Sequence, residues 1–322
     1  MRRWWLLLVV MVLGQGACAH NGAPAGTPVA LHGRLAVKGN RVVDAKGKPY
    51  AVHGMSLFWS QWQPRYYDPA TVAWLVRDWK VDAVRAAIGA EPGGYDTQPD
   101  AETARAIAVI DAAIAQGIYV VVDWHAHQPR ADNAVKFFTT IATRYRGVPN
   151  LIYETYNEPL PDQSWAGVLK PYHVKVIGAI RAIDPNAFVV AGTRSWSQDV
   201  DEAAADPLPF ANVAYTLHFY AATHKAELRA KADAALKRGA ALFVTEYGTT
   251  AANGDAPIDA AETRTWWAWC ARNGVSYLNW SVANKAEASA ILKPQVQAIE
   301  GWSEDDLTES GKLVRGHLRS LR

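Results

Sequence analysis

Cysteine is scarce: the 322-residue chain has two, Cys18 and Cys270, so no disulfide framework can hold its fold. A charge excess of one sign is also lacking. Lys and Arg number 33 against 31 Asp and Glu, a formal net charge of +2, and no long basic run occurs. Nucleic acid is therefore not an expected partner. The apolar run at residues 4–13 is too short for the roughly 20 residues of a spanning helix. No Gly-rich fingerprint follows the first strand-like run, which argues against dinucleotide binding. No Pro/Thr/Ser linker follows the start of the chain, so no appended carbohydrate-binding module is expected.

Half of the residues are hydrophobic and 20% are charged, enough for one large core. The chain has fourteen tryptophans and thirteen tyrosines, and the tryptophans are expected to divide between the core, with the larger share, and a cleft. Their faces suit the C–H faces of sugar rings as well as packing. Arg2 and Arg3 precede the apolar run, and Ala17-Cys18-Ala19 has the small-x-small form of a cleavage site. Residues 1–19 are thus expected to be a signal peptide cut after Ala19, and the protein to be secreted. The alternative is a lipid on Cys18, with Gln15 standing where a lipoprotein signal prefers an apolar residue. Residues 20–30, rich in Gly, Pro and Ala, read as a flexible leader, and 31–322 as one catalytic domain. Cys270, within Trp266-Trp267-Ala268-Trp269-Cys270, reads as a buried, inert thiol.

Residues 35–37 and 41–43 flank Lys38-Gly39-Asn40 and predict a short N-terminal β-hairpin that plugs the bottom of the fold. Apolar strand-like runs then occur at 51–57, 83–88, 118–123, 151–156, 187–191, 213–218, 241–245 and 275–280. Helical spacing occupies 69–79, 101–115, 131–145, 165–183, 225–237, 260–271 and 307–318; the segment between 191 and 213 holds at most a short helix. Eight alternating units predict an α/β fold, a (β/α)8 TIM barrel. Gly117, Gly239 and Gly274 stand where C-terminal helix caps are expected.

In such a barrel the active site lies at the C-terminal ends of the strands. Those ends carry Arg85, Asp123-Trp124-His125, Tyr156-Asn157-Glu158-Pro159, His218-Phe219-Tyr220, Thr245-Glu246-Tyr247-Gly248 and Asn279-Trp280-Ser281. Glu158 and Glu246, on strands four and seven of the barrel, face each other across the mouth. Hydrolysis of an acetal needs such a pair: one carboxyl protonates the leaving oxygen and the other attacks the anomeric carbon. His125-Ala126-His127 is too sparse to imply zinc, and no metal or other cofactor is expected.

These motifs resemble glycoside hydrolase family 5, in clan A, and most of all its bacterial endoglucanase (cellulase) branch. Tyr156-Asn157-Glu158-Pro159 is similar to the family's Asn-Glu-Pro signature and Thr245-Glu246-Tyr247-Gly248 to its nucleophile segment. The resemblance implies a retaining endo-β-1,4-glucanase with Glu158 as acid/base and Glu246 as nucleophile. It further implies that Arg85 holds the nucleophile, Asn157 bonds the sugar 2-hydroxyl and His125 and His218 position the site. Tyr220 would lie beside the nucleophile and Trp280 would form the subsite floor. For these roles Glu158 should have a raised pKa, and Arg85 should keep Glu246 ionised.

The resemblance extends to the subsites. Trp62, or alternatively Trp59, would stack the glycone sugar; Lys285 and Glu287 would bond the next sugar; Trp196 could line the aglycone side. Some relatives carry a His and a Tyr where this chain reads Leu57-Phe58 and Ala86-Ala87-Ile88-Gly89, which leaves the fine shape of the cleavage subsite open. Mannan, xylan or mixed-linkage glucan are alternative substrates for the same machinery. A non-catalytic sugar-binding barrel is the reading from a different class. No protein partner is implied, and a monomer is expected.

Overall fold

The computed structural model describes residues 22–255 and 257–322; the segment expected as a signal peptide, with Cys18, lies outside them. Strands β1 (Ala36–Lys38) and β2 (Arg41–Val43) pair antiparallel. The barrel strands are β3 (His53–Leu57), β4 (Ala83–Gly89), β5 (Tyr119–His125), β6 (Leu151–Glu154), β7 (Phe188–Ala191), β8 (Val213–Tyr220), β9 (Leu242–Gly248) and β10 (Ser276–Val282). They close in the order β10-β3-β4-β5-β6-β7-β8-β9, all parallel. The expected (β/α)8 barrel and its hairpin are both present.

The helices are α1 (Pro28–His32), α2 (Pro69–Trp74), α3 (Pro99–Gln116), α4 (Ala131–Arg144), α5 (Lys170–Ile183), α6 (Arg194–Ser197), α7 (Val200–Ala205), α8 (Ala226–Lys237), α9 (Ala260–Asn273) and α10 (Glu309–Ser320). Wide π turns extend two of them, Leu75–Trp79 after α2 and Trp165–Leu169 before α5. Asp68 caps α2 by accepting from the Ala70 amide at 2.8 Å. Gly117 ends α3 at φ 66°, where a Cβ would also fall 2.2 Å from the Thr27 hydroxyl, so glycine is required twice over. No helix among the described residues is long and apolar enough to cross a membrane.

Two details differ from the sequence reading. Residues 28–30 of the expected leader lie in α1, where Pro28 starts the helix and Val29 is buried. Between 191 and 213 there are two short helices, not one at most. The first is irregular: Ser195, Trp196 and Ser197 have φ of 58°, 56° and 59°. Hydrogen bonds to the loop after β6 hold this left-handed turn. Trp196 N donates to Pro159 O (2.8 Å) and Ser197 Oγ to Asn157 O (2.6 Å), the carbonyls flanking Glu158.

Alternation along the strands sorts side chains into two cores. On β4, Val84, Ala86 and Ile88 face the helices, whereas Ala83 joins the barrel interior. The floor of that interior is Tyr119, Val121, Ile152, Phe188, Val190 and Phe243, closed from below by Val29, Leu35 and Val42. The hairpin thus plugs the barrel as expected. At the opposite end the interior layer is aromatic, with Phe58, Trp59, Tyr220 and Trp280. Cys270 is a free, buried thiol whose pKa burial pushes up.

Candidate active site

Between the apolar floor and the aromatic rim lies a charged layer. Arg85 of β4 is fully buried and meets three carboxylates: Asp123 of β5 at 2.9 Å, Glu154 of β6 at 2.7 Å and Glu246 of β9 at 2.9 Å. It also donates to Asn157 Oδ1 at 2.6 Å. Burial opposes its charge, but the three anions more than offset this and keep it a cation. That bond uses the Asn157 oxygen and leaves its buried Nδ2 without a partner, available to a sugar oxygen.

Glu246 accepts from Arg85 Nη1 on one oxygen (2.9 Å) and from the Tyr220 hydroxyl on the other (2.7 Å). Its pKa is nevertheless raised, by burial first; His218 and Arg85 oppose this, and the nearby Glu158 charge adds to it. Arg85 favours the ionised form of Glu246, as expected, but burial outweighs it. Arg85 is shared among three carboxylates, and its single charge does not offset the burial of all of them.

Glu158, just beyond β6, stands between two imidazoles. His218 Nδ1 lies 3.0 Å from Oε1, and His127 Nε2 lies 3.4 Å from Oε2. Burial raises the Glu158 pKa, but the two histidines outweigh it and bring it down to about 2. His218 and His127 rise in turn to about 9 and about 10 against burial, held by the surrounding carboxylates. The expected raised pKa of Glu158 is thus reversed in the free site, because the protons sit on its partners. One oxygen of Glu158 and one of Glu246 lie within 4.8 Å of each other, and His218 offers a nitrogen in the same group.

The carboxyls sit where two lobes of one cleft meet. One lobe is lined by Phe58, Trp59, Trp62, Trp280, Lys285 and Glu287, the other by Trp196, Gln198 and His224; Glu158 and Tyr220 border both. Trp62 and Trp196 are 58% and 42% exposed, unlike the buried Trp59 and Trp280. Trp280 stacks on His125 at 5.1 Å and 3°, and Trp59 meets His125 edge-on at 4.1 Å and Trp62 at 4.8 Å. Lys285 pairs with Glu287, and its Nζ lies 5.3 Å from the Phe58 ring centre.

A sequence model described as Cellulase (glycosyl hydrolase family 5) matches residues 43–286. The chain belongs to glycoside hydrolase family 5. It is 44% identical to Endoglucanase Z of Dickeya dadantii over 89% of this chain and 66% of that protein. It is 38% identical to Endoglucanase N of Pectobacterium atrosepticum over 99% of this chain and 72% of that protein. The chain thus spans about two thirds of the length of these relatives. A catalytic-domain structure of a Thermobifida fusca endoglucanase in complex with cellotetraose is similar too. It has a TM-score of 0.87 and 32% identity, covering 91% of this chain and 100% of that one.

Every site residue expected from the sequence of this family 5 barrel lies in the charged layer or along the cleft. Trp62 and Trp59 both line the lobe expected for the glycone; Trp62 is exposed and Trp59 is buried beside it, their rings 4.8 Å apart. Four further residues were missed. Glu154 accepts from Thr245 Oγ1 at 2.6 Å as well as from Arg85, and Thr245 Oγ1 lies 2.9 Å from His218 Nε2. Their signal was a lone carboxylate in the apolar run at 151–156, which is costly unless paired. His127 and Glu91, which contact each other, gave no such signal, since both lie in loops.

Proposed function

We propose that this family 5 enzyme is a secreted endo-β-1,4-glucanase that cleaves internal glucosidic bonds with retention. The observation that carries this reading is the spacing of Glu158 and Glu246, whose nearest oxygens lie within 4.8 Å. Retaining enzymes hold their carboxyls about 5–5.5 Å apart, whereas inverting ones need about 6.5–9.5 Å to admit a water. The aromatic cleft on either side supports a polymer substrate that passes through the site. The cellotetraose complex of the Thermobifida fusca relative supports a β-glucan.

In the proposed cycle Glu246 attacks the anomeric carbon while Glu158 protonates the departing oxygen. Arg85 and Tyr220 hold the two Glu246 oxygens, fixing the attacking carboxylate. Asn157 Nδ2 donates to the sugar 2-hydroxyl as charge develops. His218 orients Glu158, and His125, neutral because burial and then Arg85 push its pKa well down, supports Trp280 under the ring. Glu158 then takes a proton from water, whose hydroxide displaces Glu246. Trp62, backed by Trp59, with Lys285 and Glu287, holds the glycone chain, and Trp196 the aglycone. No cofactor enters these steps.

The enzyme acts in this reading as a monomer, exported by cleavage after Ala19, with lipidation of Cys18 as the alternative anchor. The test is reducing-sugar release from carboxymethylcellulose, mixed-linkage glucan, glucomannan, mannan and xylan. Release from carboxymethylcellulose with a fast viscosity drop is expected. Activity confined to mannan or xylan would overturn the substrate, and inactivity on all five would favour a sugar-binding barrel.

A further inference from the structure

We infer that His127, braced by Glu91, is a positioning residue that connects Glu158 to solvent and stores the proton Glu158 delivers. The inference rests on Glu158 being the acid/base. Of the two imidazoles on Glu158, His218 is 2% exposed and His127 is 32% exposed, with Glu158 between them at 16%. His127 is therefore the one on the solvent side of the carboxyl. Its place is fixed at both ends. Its backbone N donates to Glu91 Oε1 at 2.8 Å, its Nδ1 lies 3.4 Å from the same oxygen, and its Nε2 faces Glu158. The Trp59 ring lies beside it at 5.4 Å, tilted by 35°.

The surrounding charges favour a cation here. Glu91, from the loop after β4, and Glu158 face the ring directly. On its own loop Arg130 is paired with Asp96. From β5, His125 is neutral and bonded to Asp123. His218 of β8 and Glu246 of β9 lie beyond Glu158, with Arg85 of β4 behind them. A continuous path, Glu91–His127–Glu158–His218–Thr245–Glu154–Arg85–Glu246, joins the cleft mouth to the nucleophile.

The proton count closes over one turnover. A proton moves from His127 Nε2 to Glu158 Oε2, leaving a neutral imidazole. Glu158 gives a proton to the departing oxygen as the glycosidic C–O bond breaks and the bond to Glu246 forms. The Glu158 anion takes a proton from water, and the hydroxide bonds to the anomeric carbon as Glu246 leaves. That proton then returns to His127. The cluster keeps protons up to the values of His218 and His127, about 9 and about 10. Without His127, only the lower of the two remains.

The test compares wild type, His127→Gln and Glu91→Gln by kcat/KM against pH on cellotetraose and on dinitrophenyl cellobioside, whose phenolate leaves unprotonated. His127→Gln should move the alkaline limb on cellotetraose to lower pH and leave the limb on the aryl substrate in place. Glu91→Gln, a milder change at a partly exposed carboxyl, should move it the same way by less. Unmoved limbs in both variants, or equal losses on both substrates, would overturn the inference. An inactive wild type would instead sink the glucanase reading on which it stands.

Discussion

Arg85→Met tests whether one guanidinium holds the charged layer together. The side chain is fully buried and meets Asp123, Glu154 and Glu246 within 2.9 Å. Methionine roughly fills the space and removes only the charge and the donors. Stranding buried carboxylates in this way should cost about 3–5 kcal/mol, roughly 6–10 °C in Tm for a domain of this size. The loss should depend on pH, and its sign follows from the carboxyls. In wild type, Arg85 and then His218 hold Glu154 low against burial, so its contribution is present above the unfolded carboxyl pKa and lost as pH falls. Without Arg85, burial leaves the Glu154 carboxyl above that value and raises Asp123 and Glu246 further. The deficit is then largest near neutral pH and shrinks as the carboxyls protonate. Urea unfolding of both proteins at about pH 4 and pH 8 reads this directly. A deficit below about 1 kcal/mol, or one equal at both pH values, would refute the view that Arg85 holds Glu154 as an anion.

Glu246→Ala should abolish turnover, and added azide or formate should partly restore it by replacing the nucleophile; rescue of Glu158→Ala alone would reverse the two roles. Tyr220→Phe removes the 2.7 Å bond to Glu246. A hydrogen bond to a charged group is worth about 1.5–3 kcal/mol, so kcat should fall roughly 10- to 150-fold with little change in KM. Trp62→Ala and Trp196→Ala should raise KM on cello-oligosaccharides yet leave stability within about 0.5 kcal/mol, since both side chains are exposed; a large loss in Tm would mean that they are packing residues.

The barrel was legible because its strands are buried on both faces and read as apolar runs broken by polar ends. The same ends gave Asn157, Glu158, His218, Tyr220, Glu246 and Trp280, since a polar residue closing an apolar strand has few other reasons to be there; Arg85, third in β4, stands out as a charge within an apolar run. The contacts between those ends were not legible. That Arg85 serves three carboxylates depends on the register that aligns it with Val121 of β5 and on closure of the barrel toward β9. Glu154 closes β6, but the run in the sequence continues to Tyr156, so a rule that looks at the ends of apolar runs passes over it. His127 and Glu91 sit in separate loops 36 residues apart, and only the folded barrel brings them together. The left-handed turn at 195–197 was hidden for a related reason: its stabilising partners are the carbonyls of Asn157 and Pro159.

The reversed pKa order of the free site follows from the spacing that the chemistry requires. Two carboxylates about 5 Å apart repel by roughly 3 kcal/mol at an effective dielectric near 20. In the empty cleft the histidines hold Glu158 as an anion, and that repulsion falls on Glu246, which burial already disfavours as a charge. Moving one proton from an imidazole to Glu158 removes the repulsion. The same shift supplies the acid for the leaving oxygen and lowers the cost of ionising the nucleophile, so acid and nucleophile are prepared together. A barrel that kept Glu158 protonated by burial alone would need no histidines. There too the water that displaces Glu246 would return the proton to Glu158, so proton supply over a turnover is the same in both designs. What the imidazole adds is a place for the proton while Glu158 is an anion, and the exposure of His127 joins that place to water.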